Sequence, residues 1–334
     1  MHGVLATVNW LLVTVLLLGI HTTVGAERDG RWAIVLAGAS GDSDLRQTYL
    51  NEIRELHSLL VGPLGFPRDQ VVVLFDSPES DPDIIQYKST RKGLEEACLS
   101  LAGRVEKDDL VFVFIDGHGS YDGKTYKLNL VGSPDPTAWE LASMLYSIPA
   151  HRFVVINATS CSGGSLQALS QKGKIVITAT KSGMERNQTQ MGRYFVEAFK
   201  NNAADADKNG RVSIMEAFSY TSKKVEAHYE SQNNLQTEHS ILDDNGDAQG
   251  QNVLTPESGE GLLARTTFLD SGAEAESPED LSPEQQKLVL EARDLERQIE
   301  ALKYDKEGMA QDDYEKKLED LLLRLARINA KLHR

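Results

Sequence analysis

The sequence predicts an α/β domain with a mostly parallel sheet and helices on both faces. Three observations carry this. Leu110–Ile115 and Phe153–Ile156 are continuous apolar runs of strand length, as expected of strands buried on both faces. Each run breaks abruptly into a polar turn. The first turn is Asp116-Gly117-His118-Gly119-Ser120; the second is Asn157-Ala158-Thr159-Ser160-Cys161-Ser162-Gly163-Gly164. Finally, runs of this kind alternate with stretches of helical period, the pattern of a parallel sheet crossed by helices.

Taken in order, Trp32–Ala37 is the first strand, ended by Gly38-Ala39-Ser40-Gly41. Tyr49, Ile53, Leu56 and Leu60 recur at helical spacing, so 45–60 is a helix. Gln70–Phe75 is the second strand, after the turn Gly65-Phe66-Pro67. Thr90 opens a helix to Val105 as its N-cap, with Cys98 on the apolar face of Leu94, Ala97 and Leu101. The His-bearing strand follows, then a polar segment over 121–136, a short helix near 137–147 and the Cys-bearing strand. Lys174–Thr178 is the fifth strand, and 192–201 is helical.

Asp205-Ala206-Asp207-Lys208-Asn209-Gly210-Arg211-Val212-Ser213-Ile214-Met215-Glu216 has every diagnostic feature of a twelve-residue EF-hand calcium loop. Asp205, Asp207 and Asn209 supply side-chain oxygens, and Gly210 makes the sharp turn. Arg211 offers its carbonyl, Ser213 acts through water and Glu216 is the bidentate ligand. A structural Ca2+ is the expected cofactor, and none is expected for catalysis. The acidic turn at 241–247 lacks the matching glycine and terminal Glu, and is read as a solvated turn.

Residues 251–280, rich in Gly, Ser, Glu and Thr, read as a linker. Ser282-Pro283-Glu284-Gln285 then starts a helix with N-cap, Pro at N1 and a reciprocal Gln. Leu288, Ala292, Leu295, Ile299 and Leu302 form one stripe; Tyr314, Leu318, Leu321, Leu325, Ile328 and Leu332 form another. With a break at Gly308, 281–334 is an α-helical hairpin, paired within the chain or, second, through self-association.

The chain's 334 residues carry 50 acidic and 35 basic side chains, a formal net charge of −15. That argues against nucleic acid and anionic membrane surfaces as partners. Val4–Ile20 is apolar and is followed by Val24-Gly25-Ala26, a small-residue cleavage pattern, so 1–26 reads as a signal peptide. The segment has no Lys or Arg before its apolar part, and an uncleaved membrane anchor is the alternative. The protein is then secreted or periplasmic, or membrane-anchored if the segment is kept.

A His and a Cys at neighbouring strand ends, each among glycines, are a base and a thiol nucleophile for acyl transfer. His118-Gly119 and Cys161 resemble the catalytic strand ends of the caspase-like cysteine peptidases, and within that clan the legumain-like family, over roughly 31–250. The resemblance implies a caspase-like peptidase domain at 27–250 with strand order 2-1-3-4-5. It also implies a Cys161–His118 dyad and an oxyanion site made by the backbone N–H groups of Gly119 and Cys161. Asn157 is read as a strand-end amide bonding the turn.

In legumain-like enzymes the loop after the first strand carries an Asn that supports the catalytic His, then Arg-His lining the pocket. The match here is Asp44-Leu45-Arg46-Gln47. Asp44 becomes the candidate support for His118, and Arg46 the candidate pocket residue, with pairing to Asp42 or Asp44 as its alternative. Gln47 in place of His loosens the implied preference for Asn or Asp. Ser182 and Glu185, after the fifth strand, are further pocket candidates. Three functions remain open: a secreted cysteine endopeptidase acting on proteins or peptides, a transpeptidase using the same acyl-enzyme, and a catalytically silent, calcium-stabilised binding module.

Overall fold

A computed structural model describes residues 30–254 except 133, residues 258–270, and residues 282–332 except 305, 307 and 308. The expected signal peptide, the whole 271–281 stretch and the Gly308 break lie outside the described residues.

The strands are β1 (Arg31–Ala37), β2 (Val71–Phe75), β3 (Tyr87–Lys88), β4 (Leu110–Asp116), β5 (Gly119–Tyr121), β6 (Tyr126–Leu128), β7 (Arg152–Asn157), β8 (Lys174–Thr178) and β9 (Ile241–Asp243). The helices are α1 (Ser43–Val61), α2 (Arg91–Ala102), α3 (Ala138–Leu145), α4 (Leu166–Leu169), α5 (Met191–Phe199), α6 (Ile214–Ser231), α7 (Leu262–Arg265), α8 (Pro283–Tyr304) and α9 (Gln311–Leu332). The main sheet runs β3-β2-β1-β4-β7-β8-β9, and β5-β6 is a separate hairpin. Every pair in the main sheet is parallel except β8–β9. The central order β2-β1-β4-β7-β8 is the 2-1-3-4-5 arrangement. The edge strands β3 and β9 and the β5-β6 hairpin are too short to show a period, and the sequence did not announce them.

The continuous apolar runs serve two cores at once. On β4, Phe112 and Phe114 face one cluster with residues of α1, α5 and α6. Val111, Val113 and Ile115 face the other, with residues of α2, α3 and α4. Phe195 of α5 stacks on Phe112 and Phe114 with ring centroids 6.3 and 6.2 Å away. Removing that ring would cost about 3–5 kcal/mol. Cys98 is buried in the second cluster, as its helical position requires.

Side chains cap several helix starts, Thr90 as expected and three others that were not. Asp42 accepts the N–H groups of Asp44 and Leu45, and Thr90 accepts that of Gly93. Thr137 with Glu140, and Ser213 with Glu216, form reciprocal capping boxes.

The boundary expected at Gly250 moves. Ala264 and Leu269 are fully buried in the first cluster, so 258–270 is packed chain rather than linker. The 241–247 turn is not solvated either, because Asp243, Asp244 and Glu260 are buried. Asp244 accepts the N–H groups of Gly261 (2.7 Å) and Ala264 (2.8 Å), tying the turn to α7. A stretch that stays in place through capping carboxylates and two small apolar anchors has no periodic signature. At the C-terminus, Leu288, Ala292 and Leu295 of α8 pack with Leu321, Leu325 and Ile328 of α9. The start of one helix meets the end of the other, an antiparallel pair. No helix among the described residues is long and apolar enough to cross a membrane.

Candidate active site and candidate calcium loop

β4 and β7 are adjacent and parallel, paired through Ile115 and Asn157, so both chains leave the sheet at one rim. Gly117 has φ +118°, and a Cβ there would lie 3.1 Å from the Gly38 backbone nitrogen. Only glycine allows this turn beside β1, and the turn carries His118 to the rim. On the other strand, Asn157 fixes the following turn. Its Oδ1 accepts the Thr159 hydroxyl at 2.8 Å, and its amide donates to Ser165 Oγ at 3.0 Å and Tyr126 OH at 3.3 Å.

The two turns are joined by residues beside the candidate dyad. The Gly119 N–H donates to Ser160 Oγ at 3.2 Å, and the Ser160 hydroxyl donates to the Gly119 carbonyl at 3.1 Å. A Cβ on Gly119 would sit 2.5 Å from the Ser160 carbonyl oxygen, so glycine is required for this approach. His118 and Cys161, one residue away on either side, are thereby brought to the same rim. His118 is half-buried, with the Tyr49 ring edge-on to it at 6.3 Å. Cys161 is buried and left-handed at φ 60°, an uncommon conformation for a residue with a Cβ. Burial pushes its thiol pKa up, and Arg186 partly offsets that.

Both backbone donors expected to form an oxyanion site are occupied. Besides the Gly119 N–H bond to Ser160, the Cys161 N–H donates to the Glu185 carbonyl at 2.8 Å. No local pattern announces this, because it depends on how the chain after β8 returns across the cysteine turn. That return is close: a Cβ on Gly163 would lie 2.3 Å from the Ser182 backbone nitrogen.

The other expected residues fall elsewhere. Asp44 is exposed in the first turn of α1, where its carbonyl accepts the Thr48 hydroxyl, and it is not a support for His118. A buried carboxyl does stand two residues before His118 in the chain: Asp116, the last residue of β4. Arg46 pairs with neither Asp42 nor Asp44. It makes a two-pronged bond to Asp76 at 2.6 and 2.8 Å and also reaches Ser80. Its fork is satisfied at the wall of an open surface depression that Ser40, Asp42, Asp76 and Lys88 help to line. The Glu185 carboxylate is held by His239 Nδ1 at 2.5 Å and by the Lys181 N–H at 3.0 Å, so it is not an open pocket base. Ser182 closes the local turn, its carbonyl accepting the Thr180 hydroxyl at 3.0 Å. Tyr49, Tyr126, Ser160 and His239 were missed, since each reaches the site from an ordinary-looking core or loop position.

In the acidic loop, the carboxylates of Asp205, Asp207 and Glu216 offer oxygens that all lie within 4.8 Å of one another. Asp205 also accepts the Gly210 N–H at 3.0 Å, which tightens the turn. The Asn209 side-chain oxygen accepts the Arg211 N–H at 2.8 Å, and Ser213 starts α6. Hard oxygen donors on a tight turn, with a helix leaving at Ser213, fit a calcium ion. The loop is backed by the 266–270 segment. The Ile214 N–H donates to the Thr267 carbonyl at 2.9 Å, and Arg211 binds Asp270 at 2.8 Å while lying over the Phe268 ring.

No family model matches the chain. Over 160 residues it is 25% identical to metacaspase-7 of Arabidopsis thaliana, covering 43% of this chain and 37% of that protein. The match thus spans well under half of that relative. Solved structures of similar shape include a structural-genomics protein of Geobacter sulfurreducens, at 12% identity and TM-score 0.44, covering 66% of this chain and 97% of that one. The Drosophila initiator caspase Dronc matches at 10% identity and TM-score 0.42, over 66% of this chain and 81% of its own.

Proposed function

We propose that the chain is a cysteine peptidase of the caspase-like class, secreted or periplasmic, acting on proteins or peptides. The observation that carries this is the mutual Gly119–Ser160 bonding, which draws the His118 and Cys161 turns together at one sheet rim. The metacaspase similarity supports the same class. In the proposed reaction His118 accepts the Cys161 proton, and sulfur attacks the scissile carbonyl carbon. The C–N bond breaks as His118 returns the proton to the leaving amine, and water or an amine then resolves the thioester. Resolution by an amine makes the same site a transpeptidase. With Arg46 held by Asp76, the Asn/Asp preference of legumain-like enzymes loses its main support here.

The Asp205–Glu216 loop is proposed to hold a structural calcium ion through Asp205, Asp207, Asn209, Arg211, Ser213 and Glu216. A second reading, a silent binding module, is favoured by the engagement of both oxyanion donors. A peptidyl acyloxymethyl ketone separates the two. A peptidase is labelled at Cys161, and Cys161→Ala removes both labelling and peptide cleavage. No labelling of the folded wild type, with calcium present, sinks the peptidase reading.

A further inference from the structure

Asp116 sits two residues before His118 on the same strand end, and its side chain is buried. One oxygen, Oδ1, accepts the Gly117 N–H at 2.8 Å and so fixes the turn that delivers the imidazole. The other, Oδ2, is buried without a donor as long as every carboxyl group is counted as ionised. Its hydrogen-bonding neighbour is the carboxyl of Glu52 on α1. Two carboxylates in such contact repel each other, and burial strengthens the repulsion. A proton on one of them turns the clash into a bond and gives Oδ2 its donor. α5 closes over the pair at Gly192, where a Cβ would approach Asp116 Oδ1 to 3.2 Å.

We propose that Glu52 and Asp116 share one proton, carried by Glu52, and that the Asp116 anion is a positioning residue for His118. This rests on the peptidase reading. Burial pushes the pKa of Asp116 up as well, but Asp116 is the anionic member because a protonated Glu52 and the Gly117 N–H both donate to it and His118 lies two residues on; Glu52 meets Asp116 from β4, Tyr49 and Glu55 on its own helix and Arg193 from α5. Burial and Asp116 both push the Glu52 pKa up, while Arg193 opposes them. The Asp116 charge steadies the imidazolium that forms when His118 takes the thiol proton, and the Glu52 proton keeps that charge from facing a second one.

The test uses the full chain with calcium present and follows Cys161 labelling by a peptidyl acyloxymethyl ketone from pH 5 to 9. Asp116→Asn should slow labelling at least about tenfold and displace its pH profile. Glu52→Ala should slow it about fivefold, and Glu52→Gln, whose amide donates as the protonated acid does, should restore it to within about twofold of wild type. A purely packing role would make Gln and Ala equally slow and leave the pH profile in place, and either result overturns the proposal. Melting temperatures over the same range give an arm independent of labelling. A group whose pKa is raised by folding loses stability as pH rises, so Glu52→Gln should flatten the wild-type decline. An unchanged slope overturns the shared proton even if Asp116→Asn fails to fold. Absence of labelling in the wild type, by contrast, defeats the peptidase reading and leaves the melting arm to decide the pair.

Discussion

The carbonyl oxygen of Glu185 accepts the backbone N–H of Cys161 at 2.8 Å. A thioester-forming site needs that N–H for the oxyanion, so a substrate must displace the Glu185 peptide before the tetrahedral intermediate is stabilised. The displacement is opposed by the Glu185 side chain, which His239 and Lys181 hold from two directions. In the proposed enzyme the described conformation is thus a latent one, and the reactive state is reached by moving the 181–187 turn.

If the competent state is a minor population, cutting the tether raises the apparent rate by enlarging that population. His239→Ala is expected to speed Cys161 labelling by roughly 3–10-fold at fixed probe concentration, with the melting temperature unchanged or lower. Glu185→Gln, which keeps the shape and drops the charge, should lie between wild type and His239→Ala. Labelling at the wild-type rate in both variants would show that the Glu185 carbonyl does not hold the site closed.

Cys161 is itself strained. A side chain at φ 60° brings Cβ against the following carbonyl, a cost of about 1–2 kcal/mol that glycine escapes. Cys161→Gly should therefore be at least as stable as Cys161→Ala, despite glycine's larger conformational entropy when unfolded, with a gap of up to about 1 kcal/mol. Chemical denaturation of the two inactive variants measures this. An alanine variant clearly more stable than the glycine one would mean the turn relaxes out of the left-handed region.

What the sequence could and could not convey follows from the range of the interactions. The buried strands were legible because Leu110–Ile115 and Phe153–Ile156 each need apolar residues on both faces, and the candidate dyad because His118 and Cys161 interrupt those runs. Asp44 and Arg46 were assigned by alignment to a motif. Their true partners, Asp42 for the Asp44 N–H and Asp76 for the Arg46 fork, depend on how α1 is capped and on which loop end lies beside it. The Glu185–Cys161 bond and the Glu52–Asp116 pair join residues 24 or more positions apart across different elements, and no local pattern encodes them. The packing of 258–270 was hidden because its anchors, Ala264 and Leu269, are sparse among polar residues.

The N-terminus of α5 offers a pH test with a defined sign. Glu238 is buried and accepts the N–H groups of Gln190 at 2.7 Å and Met191 at 3.3 Å. Burial is the main cause that pushes its pKa up, to about 7 from 4.5. A carboxyl whose folded pKa is raised contributes fully below its unfolded pKa and loses that contribution as pH rises through the folded one. The loss therefore runs between pH 4.5 and about 7 and amounts to at most about 3 kcal/mol. Glu238→Gln should melt with a flatter pH dependence than wild type across that window. A steeper dependence in the variant would mean that the helix N-terminus holds Glu238 ionised throughout.

The proposed calcium loop follows α5, the helix that closes over Asp116, and ends in the first turn of α6. The oxygens of Asp205, Asp207 and Glu216 cluster within 4.8 Å, so without a cation three carboxylates face one another. A cation at a hundred times its dissociation constant stabilises the folded chain by about 2.7 kcal/mol. For a domain of this size that corresponds to roughly 5–10 °C in melting temperature. Chelation should remove the increment without consuming the Cys161 thiol, and calcium added back should restore it. Glu216→Gln should abolish the calcium response, but it also weakens the Ser213 capping box, so part of its melting loss will persist without the ion. Asp207→Asn lacks that second role and should affect only the calcium-dependent part. A melting curve indifferent to calcium in the wild type would leave the loop a capped polar turn with no ion to hold.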